Sequence, residues 1–123
     1  MIAANNRRLP PPLRPSHARW AWLIWGAAAY FSGQTVFARP AIARRLRDDP
    51  PPRFPPMLRD AALLGGTVFD LLERERGYGA AVALAFTRPE GSPARALEAA
   101  FSGRALAHSQ GVWRAHLAWL AEP

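Results

Sequence analysis

The 123-residue chain contains no cysteine, which removes disulfide staples, thiolate metal sites and cysteine nucleophiles together. It contains no lysine either: all 16 cationic side chains are arginines, so no side-chain amine can form a Schiff base or act as a general base. The three histidines, His17, His108 and His116, are scattered, and no His-Glu-x-x-His pattern brings two of them onto one turn of a helix. No serine stands in Gly-x-Ser-x-Gly, and no segment alternates apolar and polar residues with period two, so neither a serine nucleophile nor a sheet is expected. The N-terminus runs into Pro10, Pro11 and Pro12 instead of an apolar h-region, and Arg7-Arg8 alone makes no twin-arginine signal; the chain reads as cytoplasmic before it reads as exported.

What is present is proline, arginine and tryptophan, unevenly placed. The formal net charge is +7, and it is carried by the first half: residues 1–59 hold ten arginines against Asp48 and Asp49, whereas residues 60–123 hold six arginines against seven acids. A basic half can face phosphates or anionic lipid, and an arginine-rich solvated surface gives the same count. Nine of the 13 prolines gather at 10–15 and 50–56. The first group predicts a disordered, Pro- and Arg-rich arm over residues 1–15 with polyproline character; the second predicts a stiff connector inside a single helical domain over 16–123.

Helical periodicity fills the rest, and the expected fold class is all-α, a small bundle of five or six helices. Ser16 is placed to cap a helix from His17 to Ser32, with Gly33 as its left-handed terminator and Trp22, Trp25 and Ala29 on one buried stripe. Pro40 fits the first turn of a short helix that stops before Pro50. From Met57 to Arg76, Leu58, Ala61, Gly65, Val68 and Leu72 step by three and four along one face. Gly65 and Gly66 inside that face each cost roughly 1 kcal/mol against alanine, which implies that another helix approaches closely there. Further helices are expected over Tyr78–Phe86, over Ala94–Ser102 behind a Ser92-Pro93 start, and over Leu106–Leu120, the last docking by Trp113, Leu117 and Leu120. Trp22 and Trp113 are the expected core anchors.

Between Arg19 and Arg39 the chain carries no formal charge, so a single membrane span over 20–38 is an alternative reading, with tryptophans at one interface. Ser32-Gly33 argues against it, because that pair ends a helix better than it crosses a bilayer.

One pattern is more specific. Trp22-Leu23-Ile24-Trp25-Gly26-Ala27-Ala28-Ala29-Tyr30 resembles the Trp-Leu-x-Glu-Gly-x-Ala-x-Tyr helix of gluzincin-type, peptidase-MA-like zinc metallopeptidases. Leu71-Leu72-Glu73-Arg74-Glu75-Arg76-Gly77-Tyr78-Gly79 is similar to a later helix of that family, and Ala96-Leu97-Glu98-Ala99-Ala100-Phe101, followed by Trp113-Arg114-Ala115-His116-Leu117, to its terminal pair. The resemblance covers roughly Trp20 to Leu120 and implies the helical C-terminal part of such a domain. It also implies a zinc-binding Glu at position 25, where this chain has Trp25, a side chain with no lone pair for a metal. With the His-Glu-x-x-His helix missing as well, the resemblance implies a degenerate or truncated, non-catalytic relative for which neither zinc nor another cofactor is expected.

The remaining constellations are weaker. Arg39, Arg44, Arg45, Arg47 and Arg53, near Phe37 and Phe54, form the one concentration of anion-binding residue types, and they support the alternative of a basic interaction protein for an acidic partner such as a membrane surface or a nucleic acid. His108 and His116 lie about 80° apart around a helix, too far to share a metal without a third ligand, and read as solvated or capping residues. Asp70, Glu73, Glu75 and Glu90 could supply paired carboxylates, but Glu73 and Glu75 point in different directions on a helix and alternate with Arg74 and Arg76, so the four read as a solvated charged face. Gly77-Tyr78-Gly79 follows a helix instead of a strand and lacks the last glycine of a dinucleotide fingerprint.

Overall fold

The computed structural model describes residues 15–123, with side chains from Ala18 onward; the arm expected over 1–15 falls, apart from Pro15, outside the described residues. The described residues form seven α-helices and no strand, and 74% of these residues are helical. A 3-10 helix (Pro15–Trp20) leads into α1 (Ala21–Phe31), followed by α2 (Gln34–Phe37), α3 (Arg39–Asp48), α4 (Arg59–Arg76), α5 (Tyr78–Ala85), α6 (Pro93–Ala100) and α7 (Leu106–Ala121). The first helix begins later than its sequence suggests, since the backbone of residues 15–20 is wound as 3-10. The single turn of α2 was not legible in advance.

The helix ends follow local chemistry. Gly33 takes a left-handed conformation (φ 82°) and stops α1, so the uncharged run over 20–38 is divided between α1 and α2. Among the described residues no helix is long and apolar enough to cross a membrane. Pro40 sits in the first turn of α3, where its missing N–H costs nothing. Ser92 caps α6 by accepting from the Arg95 amide at 3.4 Å. Leu58, expected on the buried face of the long helix, lies just outside α4 with φ 56° and is exposed; the face proper starts at Ala61.

Helix α4 is the axis of the molecule, contacting α1, α2, α3, α5 and α7, while α3 packs along α7. Its glycines do what their cost implied. A Cβ added at Gly65 would stand 2.6 Å from the Trp22 carbonyl oxygen, and one at Gly26 would stand 2.6 Å from the Gly65 carbonyl, so α1 and α4 touch backbone to backbone at this crossing. One step on, the Gly66 Cα faces the Thr35 hydroxyl. Around the crossing Trp22, Leu64, Val68, Phe69 and Leu72 are fully buried. Trp113 fills the far side of α4, and its indole N–H donates to Thr67 Oγ1 at 2.8 Å, which satisfies the one polar atom of an otherwise apolar anchor. The connector over 50–56 belongs to the core: Phe54 lies 5.1 Å from the Trp113 ring, and its amide donates to Gln110 Oε1 at 3.1 Å.

Candidate functional site

The crossing at Gly26 and Gly65 fixes the rotation of α1. The buried face of that helix is Trp22, Leu23 and Gly26, with Tyr30 half-buried one turn on. At about 100° per residue, Trp25 is turned roughly 110° from the centre of that face. It is 43% exposed, so the stripe expected to carry Trp22 and Trp25 together is split, and the Trp25 indole faces outward. Ile24 and Phe31 are exposed beside it, giving α1 an uncharged outer face.

The five arginines expected to gather for an acidic partner are used differently from one another. Arg45 is committed to the fold: Nε and Nη2 donate to the two oxygens of Asp60 at 2.8 and 3.0 Å, and Nη1 donates to the Pro50 carbonyl at 2.9 Å. Arg39 donates through Nε to the Leu120 carbonyl at 2.8 Å and lies 5.6 Å from the Trp119 ring, so it closes the C-terminal end of α7. Arg44, Arg47 and Arg53 are exposed, and Arg47 meets Asp48 at 3.5 Å. Arg39 and Arg45 are thus held by different partners at opposite ends of α3, and the five do not share a common partner among the described residues.

A second cluster, on α1, α4 and α7, was missed by sequence reasoning. His116, read as solvated or capping, is 8% exposed, and its Nε2 meets Asp70 Oδ2 at 2.7 Å. The same oxygen accepts from Arg74 Nε at 3.2 Å. Burial opposes ionisation of Asp70, but the hydrogen bonds from His116 and Arg74 outweigh it and hold the carboxyl below its ordinary range. Trp119 covers the group, stacked on His116 at 5.7 Å with the Arg74 guanidinium 4.4 Å from its ring. Beside it Tyr30 donates its hydroxyl to Glu73 Oε1. Burial first, and the Glu73 carboxylate second, push the Tyr30 phenol upward, so it stays a donor. The signal for His116 was present in the chain: it falls on the buried face set by Trp113, Leu117 and Leu120, where a solvated histidine does not belong.

This cluster has the members of an acid–base pair without the rest of a catalytic site. No hydroxyl is hydrogen-bonded to His116 among the described residues, so the Asp70–His116 pair ties α4 to α7 and orients the imidazole. For zinc the donors do not fit. Among the described residues no three of His, Cys, Asp and Glu converge to hold a metal ion, and Asp70 and His116, the nearest approach to such a set, are paired with each other. Among models of protein families, curated proteins and solved structures, none matches this chain.

Proposed function

We propose that this chain is a non-catalytic helical domain, similar to the C-terminal lobe of a gluzincin peptidase, that works by packing its α1 outer face against another apolar helix. The observation that carries the reading is Trp25. It occupies the slot of the family's zinc-binding glutamate, and it is exposed at one edge of an outer arc that runs through Ala28 to Ile24 and Phe31. A carboxylate there would have to be ionised to hold a metal; an indole instead supplies apolar area, which stabilises an association by about 25 cal/mol for each Å² removed from water. The face carries no charge to hold it in water, which suits a packing surface better than a solvated one.

Metal analysis of the purified protein, run beside a peptide-hydrolysis assay, tests the catalytic half. Sub-stoichiometric zinc and no cleavage are expected, and one zinc per chain with peptide cleavage would overturn the proposal. For the packing half, a dye that brightens on apolar surfaces should bind the native chain and lose that binding in Trp25→Glu. Equal dye fluorescence from the two proteins would remove the α1 face from consideration.

A further inference from the structure

Past Gly33 the chain turns through α2 into α3 with little loss of helical register. Ala38, between the two, stays in the right-handed helical region (φ −84°, ψ −2°); its amide donates to the Gln34 carbonyl at 3.1 Å, and its carbonyl accepts from the Ile42 amide at 2.9 Å. At about 100° per residue, Val36, Phe37, Pro40, Arg44 and Arg47 then share an arc of roughly 100°, and all five are exposed. The opposite side is fixed to the molecule. Thr35 and Ile42 are buried there, with Arg39 bonded to the Leu120 carbonyl and Arg45 to Asp60. Two arginines of α3 thus hold the helix down, and Arg44 and Arg47 are left on the outward ridge.

The ridge is apolar at one end and cationic at the other. Phe37 is 83% exposed and Val36 63%, side by side on the single turn of α2, and Arg44 and Arg47 follow roughly two and three turns on. Arg47 meets Asp48 at 3.5 Å with both side chains more than half exposed, a pair that water and salt leave with little strength. We propose that this ridge docks on an anionic lipid surface, Val36 and Phe37 entering the boundary between headgroups and acyl chains while Arg44 and Arg47 meet the lipid phosphates. Apolar area leaving water and cations reaching a negative surface are separate sources of attraction, and on this ridge both act in one orientation. The charge is complementary: residues 1–59 carry ten arginines against two acids. The valine favours a lipid over a nucleic acid, because an aliphatic side chain gives a base no face to stack on and gains only by leaving water. This surface belongs to α2 and α3, so it stands or falls apart from the α1 face proposed above.

The test is co-sedimentation of the full-length chain with phosphatidylcholine vesicles, with and without phosphatidylserine. Binding is expected only to the vesicles that contain phosphatidylserine, and it should weaken as salt screens the surface. Each arginine at such a surface contributes a factor of about five, so Arg44→Gln/Arg47→Gln should weaken binding about thirtyfold. Arg88→Gln/Arg95→Gln removes the same charge from exposed positions before and on α6, and should change binding by less than about threefold. Phe37→Ser should weaken binding about tenfold and leave the circular dichroism spectrum and urea midpoint in place, because the ring is exposed. Absence of binding to phosphatidylserine vesicles, equal losses in the two arginine pairs, or parental binding by Phe37→Ser would each overturn the proposal. A single-stranded oligonucleotide that binds the parent and not Arg44→Gln/Arg47→Gln, with vesicle binding equal in the two proteins, would assign the ridge to nucleic acid and overturn it as well.

Discussion

Replacing Gly65 with alanine isolates the contact on which the arrangement of helices depends. In a free helix the change is favourable by about 1 kcal/mol, because glycine gives up more backbone freedom on folding. Here the new methyl carbon would stand 2.6 Å from the Trp22 carbonyl oxygen and 3.0 Å from the Gly26 Cα and N, well inside the 3.4–4 Å of ordinary contact. Every opposing atom is backbone, so no side chain can swing aside, and α1 must move away from α4 by nearly an ångström. A gap of that size forfeits a quarter to a half of the dispersion energy for each atom pair across it, and the pairs include those of Trp22, Leu64 and Val68. Setting an overpacking cost of about 3 kcal/mol against the propensity gain leaves a net loss of about 2 kcal/mol, or roughly 8 °C in Tm for a domain of this size. Gly111 in α7 is the control, since a Cβ there meets nothing within 4 Å and the position is exposed. Gly111→Ala should gain up to about 1 kcal/mol. Urea unfolding followed by circular dichroism reads both, with the midpoint moving and the slope constant. If Gly65→Ala equals or exceeds the parent in stability, the backbone crossing described above is wrong.

Three further outcomes follow from the same packing. Trp22→Ala should cost about 3–5 kcal/mol and Trp25→Ala about 1 kcal/mol or less, since the first ring is fully buried and the second is 43% exposed; equal losses in urea titration would refute the orientation of α1. Asp70→Asn should cost about 1–3 kcal/mol at neutral pH by weakening the bonds to His116 and Arg74. Because the folded carboxyl titrates below its ordinary value of 3.8, its contribution is present above that value and disappears as pH falls through the depressed one; stability measured from pH 7 down to acid should show parent and variant converging, and a constant difference would refute the linkage. In Tyr78→Phe, which leaves Tyr30 as the one tyrosine, ultraviolet titration should show phenolate forming well above the ordinary pH 10.0. The raised folded value means that this contribution holds below pH 10.0 and is lost as pH climbs through the higher one; ionisation at the ordinary value would remove the Tyr30–Glu73 bond from the account.

The amino-acid sequence alone determined the class of fold and most helix boundaries, because these rest on local chemistry: Gly33 with its left-handed φ, Pro40 and Pro93 in first turns, Ser92 as a cap, and the three-and-four spacing from Ala61 to Leu72. The Gly65-Gly66 pair even announced a close approach, since two glycines in a helix need a reason. Rotation was another matter. Trp25 and Gly26 are both compatible with an inward face, and only the backbone contact with Gly65 in α4 turned one inward and the other out. The Arg45–Asp60 pair and the Asp70–His116 pair join residues 15 and 46 positions apart, and no local pattern specifies which of several acids an arginine or a histidine will meet. Helices form from neighbours in the chain, whereas a site forms from neighbours in space, and the packing of α4 against α1 and α7 is what chose them.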